Sequence, residues 1–192
     1  MSSPTPHDFP APGSKAPGTT FVDPKGKTFT TRDVLAGARG LPVLFVFFKV
    51  NCPTCQLSWP YVQRLHTLYG GKAVHVAGVC QNSAAEGAGY YAAFGAATFD
   101  LLVDPEPRFD ASNAFGVEAV PHLVLVSPEG KVLRTLTGWS RREMEELGIE
   151  VKGPWLVDFD SGDGYWCWRW PEETLDYYHG YDEGFAGRVR IQ

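Results

Sequence analysis

Residues 41–69, LPVLFVFFKVNCPTCQLSWPYVQRLHTLY, decide the fold. Leu41–Phe48 is apolar and rich in Val and Phe; it is too short to cross a bilayer and reads as a buried strand. Gln56–Tyr69 reads as a helix whose apolar residues Leu57, Tyr61, Leu65 and Leu68 are spaced to form one buried face. Cys52-Pro53-Thr54-Cys55 stands between them, so two thiols sit where a strand feeds a helix.

That position matters because of the helix end. The first turn has unpaired backbone N–H groups and the positive end of the helix dipole, and both favour a thiolate. Cys52, the outer thiol, is expected to ionise readily and act as the nucleophile. Cys55, one turn inward, is expected to attack the resulting mixed disulfide and release the partner. Pro53 suits the first helical position because it has no N–H to leave unpaired. Lys49 adds a positive charge that favours the thiolate if it points toward the site. Two blander readings stand beside this one: half of a zinc site, or two idle thiols. Zinc requires a second pair of ligands, and the sequence has no other CxxC and no His-x3-5-His. No metal is therefore expected, and no cofactor beyond a redox-active Cys52–Cys55 disulfide.

Composition narrows the partners. The chain has 192 residues, 44% of them hydrophobic, which suggests one ordinary domain plus an appendage. Its net charge is −5 with Lys and Arg scattered, so no basic stripe points to nucleic acid or an anionic membrane. Met1–Asp8 lacks the positive start and apolar core of a secretion signal, and no span is long enough to cross a bilayer; on this reading the protein is expected to be cytoplasmic. Four cysteines are too few for a disulfide scaffold, which favours a chemical role for the CxxC.

Along the chain, Ser2–Gly18 holds five prolines and two glycines and reads as an extended lead-in, residues 1–18. Asp23-Pro24-Lys25-Gly26 is the turn of a hairpin flanked by Phe21-Val22 and Thr28-Phe29. A helix over Thr31–Ala38 precedes the first buried strand. Beyond the long helix come a strand at Ala73–Val79, a helix at Ser83–Gly95, a strand at Asp100–Val103 and a helix at Arg108–Phe115. Strands at Leu123–Val126 and Val132–Leu136, joined at Ser127–Gly130, and a helix at Arg141–Leu147 close the domain, residues 19–148. Alternation of this kind describes an α/β protein with a mixed sheet covered on both faces.

The element order, the CxxC and the segment Phe115-Gly116-Val117-Glu118-Ala119-Val120-Pro121 resemble the thioredoxin superfamily, in particular its TlpA-like disulfide reductases, which share features with the AhpC/TSA peroxiredoxins. The resemblance covers about Pro10–Leu147. It implies a thioredoxin-like fold with an N-terminal hairpin and a helix–strand insert at Asn82–Leu101. It also implies a cis-proline at Pro121 facing the CxxC, and a proline, Pro60, within the active-site helix. Val120 would then offer its backbone to an extended partner beside Asn51, Pro53 and Thr54. The alternative for Pro121 is an ordinary trans proline opening a strand.

Several positions depart from the family. Thioredoxins carry Trp directly before the first cysteine, where this chain has Asn51; Asn51 could instead cap the helix. The family's buried acids correspond here to Val46 and Ser58, leaving no usual proton acceptor for Cys55. His122 replaces a residue that is commonly Thr and either helps set thiol ionisation or faces elsewhere. Cys80, at a strand end, is either a third redox thiol or a small apolar residue; Cys167 has no visible partner. The extension, residues 149–192, contains Trp155, Trp166, Trp168 and Trp170. Its segments Trp155–Phe159 and Tyr165–Trp170 read as a hairpin that either packs on the domain or makes a homodimer contact or a docking surface near the active site.

The sequence thus points to a thiol–disulfide oxidoreductase acting on a protein or a low-molecular-weight disulfide. A peroxiredoxin-like peroxidase and a non-enzymatic redox sensor are the alternatives. Peroxiredoxins surround their reactive cysteine with Pro-x3-Thr-x2-Cys, and the matching positions here are Phe45 and Lys49.

Overall fold

A computed structural model describes residues 10–94 and 98–152. Its elements run β1 (Thr20–Val22), β2 (Thr28–Thr30), α1 (Thr31–Gly37), β3 (Val43–Phe48), α2 (Pro53–Tyr69), β4 (His75–Cys80), α3 (Ala84–Ala93), β5 (Asp100–Val103), α4 (Asp110–Ala114), β6 (His122–Val126), β7 (Val132–Thr137) and α5 (Arg141–Lys152). The seven strands form one sheet in the order β2-β1-β5-β4-β3-β6-β7. At its centre β3 runs parallel to β4 and antiparallel to β6, which makes the sheet mixed. All six residues of β3 are buried, because helices cover both faces and no side of that strand meets water. The described part of the lead-in is tied to the edge: Gly13 N–H donates to Val132 O, and Val132 N–H donates to Ser14 O.

Two apolar layers sandwich the sheet. On one face Leu44, Val46, Phe48, Cys80, Leu123 and Leu125 meet α2, α3 and α5 through Cys55, Trp59, Val62, Leu65, Tyr90, Tyr91, Met144 and Leu147. On the other, Phe45, Phe47, Val79, Val124 and Val126 meet α1 and α4 through Val34, Ala38 and Ala111, with Phe21 and Phe115 alongside. The buried stripe of α2 differs from the expected one. Leu68 is 39% exposed and Leu57 and Tyr61 are only partly covered, while Trp59, Val62 and Tyr69 point inward. Trp59 rotates the stripe, because it is the largest side chain on the helix and fills the space between Phe48 and Tyr90, at ring-centroid distances of 4.7 and 4.8 Å. The hairpin expected at Trp155–Phe159 and Tyr165–Trp170, the homodimer contact and Cys167 all lie outside the described residues.

Candidate active site

The site is built where β3 ends. β3 delivers Lys49 to the C-terminal edge of the sheet, and the next few residues must turn into α2. Two side-chain amides hold that turn: Asn82 Oδ1 accepts from Val50 N–H at 3.1 Å, and Gln56 Nε2 donates to Val50 O at 3.0 Å. Neither residue stood out in the sequence, since both hold this turn through the backbone groups of Val50 and not through a local motif. The helix starts at Pro53, the first helical position expected for it although the apolar periodicity begins only at Gln56, and Cys52 rather than Asn51 is the N-cap. With proline at the first helical position, the cap falls on the residue directly before it, and Asn51 is left exposed outside the helix.

As the cap, Cys52 Sγ accepts from Cys55 N–H at 3.3 Å and donates to Val120 O at 3.4 Å. The Val120–Pro121 peptide is cis, and Pro121 O accepts from Gly138 N–H at 2.8 Å, which ties this loop to the end of β7. The outer thiol therefore touches both the helix mouth and the proline loop. Hydrogen bonding from the Cys55 thiol, helped by the backbone N–H groups of Cys55 and Thr54 and by the Lys49 charge, brings the Cys52 pKa down from 9.0 to about 6 against the opposing effect of burial. Cys55 is fully buried, and loss of solvation, reinforced by the adjacent Cys52, pushes its thiol far upward. The pair is thus polarised into one thiolate and one neutral thiol at neutral pH. Ser58 Oγ donates to Cys55 O at 2.9 Å and so is committed to the backbone.

The other singled-out residues fall around this pair. Pro53 is exposed and Thr54 partly so, flanking Cys52 at the surface. His122 pairs in register with Phe47, so its ring lies on the sheet face opposite Cys55, bonded through Nδ1 to Thr137 Oγ1 at 2.9 Å. Burial lowers its pKa from 6.5 to about 4, so at neutral pH the ring carries no charge. Cys80 shares the Cys55 face but points under α3, where a Cβ added at Gly87 would lie 3.1 Å from its sulfur. Burial raises its thiol from 9.0 to about 11. Cys52, Cys55 and Cys80 all carry free thiols.

Beneath Cys55 lies an aromatic floor of Phe48, Trp59, Tyr90, Tyr91, Phe94 and Phe99, its ring centroids linked at 4.4 to 6.2 Å. Its one sequence signal was Trp59, a full helical turn after Cys55 and therefore on the same side of α2. Among the described residues, no group of His, Cys, Asp and Glu side chains is arranged to hold a metal ion. No described helix is long and apolar enough to cross a membrane.

A central mixed sheet carrying a CxxC at a helix mouth, opposed by a cis-proline, defines a thioredoxin-superfamily oxidoreductase. The family model described as Redoxin matches residues 11–149, and the chain belongs to that family, in the TlpA/ResA-like branch of the superfamily. Among curated relatives, thiol-disulfide oxidoreductase ResA of Geobacillus thermodenitrificans is 27% identical over 144 residues, covering 75% of this chain and 79% of that protein. ResA of Bacillus subtilis is 24% identical over 132 residues, covering 69% and 70%. Among solved structures, a thiol:disulfide interchange protein from Bacteroides sp. superposes with a TM-score of 0.62 at 21% identity, covering 80% of this chain and 95% of that one. The thioredoxin domain of a thiol-disulfide oxidoreductase from Bacteroides vulgatus gives 0.57 at 22%, covering 67% and 90%. A second model, described as an uncharacterized conserved protein (DUF2203), matches residues 127–191, about a third of the chain.

Proposed function

We propose that this protein reduces disulfides on protein or small-molecule partners by dithiol exchange, with Cys52 as nucleophile and Cys55 as resolving thiol. The observation that carries this is the polarised pair: an outer sulfur capping α2, with its pKa brought to about 6, above a buried thiol pushed the other way. Cys52 thiolate attacks one sulfur of the partner disulfide; the new S–S bond forms as the partner's S–S bond breaks, and the departing thiolate takes a proton from solvent. Cys55 then loses its proton and attacks Cys52 Sγ, releasing the second partner thiol. Two electrons have passed to the partner, the protein holds a Cys52–Cys55 disulfide, and a second dithiol restores it by the reverse exchange.

Val120 contributes its backbone beside the thiolate, where an extended partner chain could add as a strand, and Asn51, Pro53 and Thr54 form the exposed rim. The relatives named as thiol-disulfide oxidoreductases support the same reading. Stabilising the Cys52 thiolate favours the reduced form. We therefore expect a potential more oxidising than the about −270 mV of thioredoxin and short of the about −120 mV of the strongest thiol oxidants. The decisive assay measures insulin-disulfide reduction and hydrogen peroxide consumption side by side. Wild type should reduce insulin at least about a thousandfold faster than Cys52→Ser, and Cys55→Ser should accumulate a mixed disulfide. Peroxide consumption exceeding insulin reduction would move the protein to the peroxidases, and equality with Cys52→Ser in both assays would remove catalysis altogether.

A further inference from the structure

One loop beside the dithiol is built more firmly than its exposure requires. Between β5 and α4, Asp104 is buried and its carboxylate accepts from the N–H groups of Ala111 at 3.0 Å and Ser112 at 2.7 Å. Asn113 clamps the same loop, its side-chain amide donating to Arg108 O and its N–H to Phe109 O, both at 2.8 Å. Within this frame Phe109 is held at φ 46°, the left-handed region that a bulky side chain ordinarily avoids. Such a conformation persists only where the surroundings over-determine it.

Its consequence is where the loop's side chains go. The Phe109 ring lies 5.3 Å from Lys49 Nζ, and Glu106 Oε1 lies 3.9 Å from the same nitrogen. Lys49 is joined to the dithiol turn through its carbonyl, which accepts from Cys52 N–H at 3.3 Å. The ammonium thus rests between an aromatic face and a carboxylate, and its side chain keeps 37% of its exposure. The ring supplies a seat through its quadrupole, while the exposed carboxylate holds it loosely. A flexible lysine, three residues before Cys52 and bonded to it through the backbone, is thus drawn to the β5–α4 loop rather than left to swing into solvent.

We infer that the β5–α4 loop, through Glu106 and Phe109, positions Lys49 as a specificity-determining charge that favours disulfides bearing a carboxylate close to the reacting sulfur. The inference rests on the reading of Cys52 as the attacking sulfur. In the exchange, negative charge spreads over three sulfurs as the Cys52–S bond forms and the substrate S–S bond breaks. A fixed cation near that line favours the anionic transition state. A carboxylate on the substrate is drawn to the same point, whereas an ammonium is repelled. The ion pair with Glu106 offsets part of this, so Glu106 tempers the preference. The field of Lys49 on Cys52 points the same way.

The test needs no reductase activity. The fully reduced protein is alkylated at Cys52 with iodoacetate (anionic) and iodoacetamide (neutral), and the ratio of rates reads the local charge. For one unit charge several ångströms away at a wet surface, Lys49→Met should lower that ratio by about threefold. It should also abolish the decline of the ratio with added salt, which a merely structural role would leave in place. Lys49→Arg should retain the ratio, and Glu106→Gln should raise it. In exchange with small disulfides, wild type should prefer 3,3′-dithiodipropionate to cystamine, and Lys49→Met should lose that preference. An unchanged ratio and salt dependence in Lys49→Met would overturn the inference. A normal ratio in a protein that fails to reduce any disulfide would instead overturn the reductase reading and leave the charge at Lys49 standing.

Discussion

Cys52 and Cys80 lie at the same edge of one sheet, within reach of neighbouring strand ends, yet their surroundings push them in opposite directions. Cys52 caps its own helix: it accepts from the Cys55 thiol and from the N–H of Cys55, feels the Lys49 charge and falls to about 6. Cys80 ends β4 in register with Phe48 and Val103 and fits the space left by Gly87 on α3, and burial lifts it to about 11. The lesson is that position along a strand does not make a cysteine reactive. The Cys55 thiol and the backbone donors of a helix mouth do, whereas at Cys80 the backbone donor of Asn82 is outweighed by burial.

The largest effect separates these two sulfurs directly. At pH 7 a pKa near 6 leaves Cys52 mostly thiolate, while one near 11 leaves about one Cys80 in ten thousand ionised. Alkylation of the reduced protein followed by peptide mapping should therefore label Cys52 about two orders of magnitude faster than Cys80, because the weaker nucleophilicity of the more acidic thiolate offsets part of the difference in ionised fraction, and burial should widen the gap. Comparable labelling of the two would erase the contrast. The next largest effect is structural. Trp59 is fully buried in the aromatic floor, so Trp59→Ala should cost about 3–5 kcal/mol in urea unfolding. The same variant should keep a Cys52 alkylation midpoint near 6, because the cap and its donors do not include the ring.

How much of this was legible in the sequence follows from the range of each interaction. The run into Cys52, the CxxC and the turn at Asp23–Gly26 depend on neighbours a few residues away, and strand, helix mouth and hairpin all formed where the pattern placed them. The identity of the cap was less legible, because Asn51 is an ordinary capping residue and Cys52 is not, so side-chain preference pointed one residue too early. The buried stripe of α2 was misplaced for a related reason: Leu57 and Leu68 fit an ideal period, but Trp59 and the aromatic rings of α3 fix the helix's rotation. The supports of the site were invisible. Asn82 and Val50, or Phe109 and Lys49, are dozens of residues apart, and no local signal couples an amide or a ring to a backbone that distant.

A smaller effect tests how tightly the floor under the thiols is packed. A Cβ added at Gly78 in β4 would overlap the Tyr91 hydroxyl, which donates to Asp100 O at 3.0 Å. A tyrosine ring cannot bend at its far end, so the ring must shift and its hydrogen bond stretch. Gly78→Ala should therefore destabilise the protein by about 1–3 kcal/mol. Gly37→Ala, on a helix with nothing nearby, serves as the control and should be neutral or mildly stabilising. If the two substitutions behaved alike, the floor would be looser than these distances imply.

The smallest effect is a pH dependence that the two faces of the sheet divide between them. His122, behind the sheet, binds its proton at about 4 in the folded chain against an ordinary 6.5, so between those values the unfolded chain holds more protons and stability rises with pH. Cys52, at the mouth, binds its proton at about 6 when folded against 9.0, so the reduced protein gains further stability between about pH 6 and 9. The sign is the same for both, because each fold environment disfavours the protonated form. The windows barely overlap, and substitution can remove them one at a time. In urea midpoints followed across pH, Cys52→Ser should flatten the upper rise of the reduced protein and leave the lower one, while His122→Gln should shrink the lower rise alone, the remainder belonging to His66, whose pKa burial also lowers. Oxidising wild type to the Cys52–Cys55 disulfide should also erase the upper rise, since no thiol then remains at position 52 to ionise; an upper rise surviving oxidation would assign it to some group other than this sulfur.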